Sequence, residues 1–171
     1  MDDRAVVARQ LGRQPRAFRR VVVRCPHGLP AVTEQAPYDA NGEPFPTTYY
    51  LTCSYLVVAL ARLEAAGGVE RWSRTVEDDA ALGVSLASAT RDQRRVRREL
   101  AEGGGEEPDG GVSLDLGIGG ARTPAHLKCL HAHAAYALAR PGYVLGERIL
   151  AEVQPPWPLG ECCSEALRDP S

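Results

Sequence analysis

The spacing of apolar residues changes repeatedly along this chain, and each change marks a boundary between elements. From Asp3 to Gly12, Val6, Val7 and Leu11 fall on one side of a short helix. Arg19 to Arg24 carries Val21, Val22 and Val23, a β-branched run that predicts a strand. Pro26, Gly28 and Pro30 break that run, and Ala31 to Gln35 predicts a return strand. Cys25 therefore sits at the corner of a small N-terminal β-hairpin. Asp39 to Pro46 is a loop by its turn residues. Beyond it, Leu56, Leu60 and Leu63 recur at helical spacing behind Thr52, a good N-cap residue, until Gly67 and Gly68 stop the helix. This start puts Cys53 in the first helical turn.

A longer helix is predicted over Val76 to Glu102, with a basic stretch from Arg91 to Arg98 near its end. The stretch 103–111 is too polar and glycine-rich to pack and predicts a mobile loop. Val112 to Leu116 alternates like a short strand. Thr123 as N-cap and Pro124 at the first helical position start a helix running to about Ala139, and a last one covers Val144 to Val153. Together these elements predict an α+β fold, a mainly helical single domain over residues 1–155, with a flexible tail over 156–171.

Composition narrows the class of protein. A chain of 171 residues is one domain in size and buries enough surface for a core without staples. Its net charge of −2 favours neither nucleic acid nor a membrane surface. Lys128 is the single lysine among 20 basic residues, an excess of arginine that GC-rich coding produces. No apolar run approaches the ~20 residues of a membrane span, and the start Met1-Asp2-Asp3-Arg4 lacks a secretory-signal layout. The expected setting is the cytoplasm, where thiols stay reduced. Five cysteines there point to metal binding, catalysis or burial rather than disulfides.

Three of the four histidines, His126, His131 and His133, fall within eight residues around Cys129. On a helix, Cys129 and His133 share a face at i, i+4, close enough to hold one metal ion, while His131 projects away. Cys53 in a first turn meets the positive end of the helix dipole, which favours its thiolate. Cys25 stands at a Pro/Gly corner whose amides can stabilise a sulfur's charge. Against each stands simple burial, since free cysteine is among the most buried residue types. Gly117-Ile118-Gly119-Gly120 lacks the Lys-Ser/Thr of a phosphate loop and reads as a tight turn. The Arg91–Arg98 run reads as a solvated helix face, with RNA contact the lesser alternative.

The blocks Arg24-Cys25-Pro26 with Gly28-Leu29-Pro30, Pro44 to Cys53, and Lys128-Cys129-Leu130-His131-Ala132-His133 resemble the bacterial family catalogued as domain of unknown function 501. The resemblance covers roughly residues 15–153 and implies a small cytoplasmic protein, often encoded near enolase and a septum-formation initiator. It implies no activity. Its pattern carries Cys25, Cys53, Cys129, His131 and His133, and leaves out His27, Cys162 and Cys163. Where that pattern has Pro after the second cysteine, this chain has Ser54.

The expectation is that the three segments converge on one site. Three thiolates and one imidazole, Cys25, Cys53, Cys129 and His133, fit tetrahedral zinc, with His131 nearby, and three cysteines alone fit an iron–sulfur cluster with an open iron. Two other classes stay open. One is a metal-free cysteine enzyme with Cys53 or Cys129 as nucleophile and His131 or His133 as base. The other is a non-catalytic module binding a protein partner or RNA, tied to cell division.

Overall fold

The computed structural model describes residues 2–105, 107–123, 125–154, 157 and 160. The chain folds as an α+β domain, mainly helical, with a small antiparallel sheet near the N-terminus. Helix α1 (Asp3–Leu11) leads into β1 (Phe18–Arg24) and β2 (Pro30–Gln35), joined at the predicted corner. There the Cys25 N–H donates to the Leu29 carbonyl at 2.9 Å, and Gly28 takes a φ of +79° that only glycine adopts freely. The hairpin gains a third strand, β3 (Tyr49–Leu51), which pairs with β2 so that Val32 faces Leu51. Three residues are too few for alternation to register in the sequence.

β2 is the middle strand and buried along its whole length. Its polar residues are partnered within the protein: Glu34 accepts from Arg20 at 3.0 Å, and Gln35 donates to Thr33 at 2.7 Å. Helix α2 (Ser54–Ala65) follows β3 directly and buries Leu56 and Leu60. Cys53 is its N-cap, so this cysteine precedes the first turn instead of lying in it.

The helix expected over Val76 to Glu102 is two helices, α3 (Gly68–Asp78) and α4 (Ala80–Ala101). Asp79 between them is extended, and its carboxylate accepts from the N–H groups of Ala81 and Leu82. An aspartate used as an N-cap thus breaks a periodicity that continues past it. Val112–Asp115 is a 3-10 turn rather than a strand, because Asp109 accepts from Gly111 and Ser113 and winds the chain. The same carboxylate accepts from the Tyr38 hydroxyl at 2.6 Å and anchors the end of the 103–111 loop.

The centre of the core is α5 (Leu130–Ala139), which packs against β3 on one side and α6 (Val144–Ala151) on another. Seven of its ten residues are buried, four of them alanines, so neighbours approach its backbone from all sides. Gly146 of α6 lies so near that an added Cβ would stand 2.6 Å from the His133 carbonyl oxygen. A further buried device is Arg97 of α4, fully enclosed, whose guanidinium donates to the carbonyls of Phe45 at 3.0 Å and Ser113 at 3.1 Å. It fixes the Pro44–Thr48 segment that leads into β3. Among the described residues, no helix is long and apolar enough to cross a membrane.

Candidate functional site

The helix expected from Thr123 begins only at Leu130. Residues 125–129 are not helical, and Cys129 is the N-cap, with φ −156° and ψ 148°. This removes the i, i+4 face that would have paired Cys129 with His133. The late start has a tertiary cause. The Leu130 N–H donates to Glu64 of α2 at 2.5 Å, so a carboxylate from another helix takes the cap that a local side chain would otherwise supply.

Two helices, α2 and α5, begin at cysteines, and neither thiol closes a full capping hydrogen bond. Their environments differ. Cys53 is fully enclosed and Cys25 nearly so, both inside the apolar core. Cys129 is half-buried and lines a cleft of about 480 Å³ between α1, β3, the start of α2 and the start of α5. The volume suits a small ligand. Leu11, Tyr50, Leu51, Val57 and Val58 make its apolar wall, and Thr52, Ser54, Gln10 and His131 its polar positions. Among the described residues, no carboxylate, lysine or arginine lines it.

Burial pushes the Cys129 thiol above its ordinary range, and the Glu64 carboxylate adds to the rise. The main-chain N–H groups of Ala132 and His131, which face the sulfur, and the Lys128 ammonium act the other way. Gly119, at φ +68°, lies against the sulfur, where a Cβ would come within 3.6 Å of it and 3.0 Å of Ala132. The Gly117–Gly120 turn is thus a lid of bare backbone over Cys129. Thr52 is buried, and among the described residues its hydroxyl has no hydrogen-bond partner.

His131 reaches from α5 to α2. Its Nε2 lies 3.0 Å from the Val57 carbonyl, which can only accept, so that nitrogen carries a proton. Its Nδ1 lies 3.0 Å from the Glu64 carboxylate. His133 points elsewhere, its Nδ1 2.7 Å from the Tyr143 hydroxyl and its Nε2 enclosed without a partner among the described residues. Burial lowers its pKa to about 4, so it is neutral at physiological pH. The two histidines thus sit apart, but it is His131, not the expected His133, that shares the cleft with Cys129.

Among the described residues, no three His, Cys, Asp or Glu side chains are grouped to hold a metal ion. Cys162 and Cys163 lie outside the described residues. The arginine run is largely occupied within the chain. Arg95 pairs with Asp92 and Glu99, Arg98 with Asp115, Arg94 donates to the Asp115 carbonyl, and Arg97 is buried. Asp92 joins a second polar cluster, accepting from the Tyr136 hydroxyl and from Arg140 at 2.7 Å. Burial would raise its pKa, but these hydrogen bonds hold the carboxyl below the usual range.

Sequence reasoning passed over Glu64. Val57 and Glu64, seven residues apart on α2, share the face that His131 clamps, and that spacing was the one available signal.

The fold and cleft define a small α+β domain with, among the described cysteines, one half-buried thiol at a helix start. The chain belongs to the family described as protein of unknown function (DUF501), whose model matches residues 21–151. Comparison with curated proteins and with solved structures gave no match.

Proposed function

We propose that the chain is a metal-free, cysteine-dependent enzyme of the cytoplasm, with Cys129 as its nucleophile and the cleft as its substrate site. One observation carries the reading: of the five expected site residues, only Cys129 and His131 line an open cleft. Cys53, Cys25 and His133 are enclosed. His131 acts as a positioning residue, since both its ring nitrogens are committed to α2. It holds the first turn of α5, and with it the N–H groups that face the sulfur.

A panel of small chloroacetamides bearing different apolar groups tests this, with peptide mapping of the labelled sites. The best members should label Cys129 with saturating kinetics, at least about tenfold faster in the folded protein than in urea. Rates no higher than in urea for every member would sink the reading, as would equal labelling of Cys25 and Cys53.

A zinc or iron–sulfur site is the second reading. Its support is that Cys25 and Cys53 share one core cluster, with Cys129 packed against it. It requires the three sulfurs to draw together more closely than the described arrangement does. Stoichiometric zinc, or iron with sulfide, in anaerobically purified protein would establish it; folded, colourless, metal-free protein would end it.

A further inference from the structure

We infer that a second cavity, between β1, the C-terminal half of α4 and the residue that follows α5, binds hydrogen phosphate, free or as the end group of a small ester. This goes beyond the cysteine reading and does not depend on it, since the two cavities share Tyr49 and no other residue. The second one holds about 320 Å³, which suits a small polar ligand. Arg19 and Arg20 of β1, Arg95 of α4 and Arg140 wall it, and Tyr49 of β3 lies beneath. Glu34 and Glu99 are the two carboxylates that line it. Four guanidiniums against two carboxylates leave a positive excess.

Local geometry brings these groups together. The β1–β2 register shifts between Phe18 and Arg20, so two successive arginines face Glu34 where strict alternation would turn one of them away. Arg20 donates to Glu34 from Nε at 3.0 Å and Nη2 at 3.1 Å, and Arg19 comes within 3.6 Å of the same carboxylate. Glu34 pairs with Tyr49 across β2 and β3, which puts the phenol on the face of the sheet that carries this carboxylate. From the other side, Asp92 holds Arg140 at 2.7 Å and Arg95 at 2.6 Å, and Glu99 holds Arg95 at 2.6 Å. These carboxylates orient the guanidiniums without exhausting them. Among the described residues, Nη1 of Arg20, Nη1 of Arg140 and both terminal nitrogens of Arg19 make no hydrogen bond.

Tyr49 supplies an independent sign of a ligand. It is 5% exposed, its ring packs edge-on against Tyr136 at 5.4 Å, and its hydroxyl has no hydrogen-bond partner among the described residues. Unlike the sealed hydroxyls of Thr48 and Thr52, that oxygen reaches open space. Its strand partner sets it on the Glu34 side, where the cavity opens. A phenol so deep gains its partner from what enters there. Burial raises its pKa, so it stays a donor at neutral pH. Guanidinium forks from three parts of the chain and a phenol thus converge on an anion with several oxygens. The carboxylates decide which anion. They repel an oxyanion without a proton, such as sulfate, whereas hydrogen phosphate brings an O–H. Glu99 can accept it through Oε2, which has no partner among the described residues.

The test titrates the full chain with inorganic phosphate, sulfate and glycerol phosphate by calorimetry and phosphorus NMR, at neutral pH and low ionic strength. Phosphate should bind with a Kd of about 1 mM or tighter, and sulfate at least about tenfold more weakly. Phosphate ahead of glycerol phosphate supports the free ion as ligand, and the reverse order supports the ester. Tyr49→Phe removes the hydroxyl alone and should weaken phosphate about fivefold, with thermal stability unchanged or raised. Arg19→Gln changes an exposed side chain with no hydrogen bond to lose and should weaken phosphate about tenfold. Arg91→Gln, exposed on α4 and outside the cavity, should leave affinity unchanged. No saturable binding up to about 10 mM phosphate, sulfate bound as tightly, or equal losses in Arg19→Gln and Arg91→Gln would overturn the inference. So would unchanged affinity in folded Tyr49→Phe, because the phenol is the group that points to a ligand.

Discussion

At the scale of single residues, the fate of each thiol and imidazole is set by what encloses it. Cys129 is the accessible thiol among those described, yet burial holds its pKa up, so its alkylation should rise with pH to a midpoint above that of the same cysteine in urea. A midpoint at or below the unfolded value, measured by iodoacetamide labelling, would contradict this. His133 shows the opposite displacement. Its folded pKa of about 4 lies below the ordinary value of 6.5, so the unfolded chain takes up a proton first as pH falls. Its contribution to stability is complete above pH 6.5 and is lost progressively towards pH 4. Full loss would amount to about 3 kcal/mol. Urea titrations across that range should show the decline, and a variant such as His133→Asn should flatten it.

At the scale of elements, helix starts and close approaches decide the architecture. Asp79 divides a continuous helical pattern into α3 and α4 with its own side chain, a signal present in the sequence but outweighed by the apolar spacing on both sides. The start of α5 is different, since its cap comes from Glu64, 66 residues earlier. Glu64→Ala should cost about 1–2 kcal/mol, because it leaves the Leu130 N–H and the His131 ring without their acceptor. The loss should appear in urea unfolding and as a change in Cys129 labelling. The α5–α6 contact is equally exacting. Gly146→Ala would drive a methyl against the His133 carbonyl, Ala137 and Tyr143, and should lower stability by about 1–3 kcal/mol or more.

For the whole molecule, α5 acts as the axis against which the sheet, α2 and α6 are placed, and the cleft opens where its first turn meets β3 and α2. Arg97 is the long-range tie, holding the Phe45 and Ser113 carbonyls together from within α4. Its pKa, brought down to about 10 by burial, leaves it charged at physiological pH and dependent on those carbonyls. Arg97→Met removes a buried charge but leaves two carbonyls unpaired, so a net loss of roughly 1–3 kcal/mol is expected. The cleft should loosen with it, read as faster hydrogen exchange across residues 44–51.

Much of this was legible in the chain itself. The hairpin corner at Cys25, α1, α2 and α6 follow from β-branched runs, helical spacing and Pro/Gly punctuation, which act within a few residues. The buried, alanine-rich segment after Cys129 reads as helix for the same reason. The chain also singled out Cys25, Cys53, Cys129, His131 and His133 as residues able to carry chemistry. It could not say which thiol stays accessible, where α5 begins, or that His131 is bound at both nitrogens. Those depend on Glu64, Val57 and Gly119, residues brought alongside by packing, and a contact across 66 residues leaves no local period to read. Local sequence determined the elements and the reactive groups, and burial and distant hydrogen-bond partners decided which of those groups lines an open cleft.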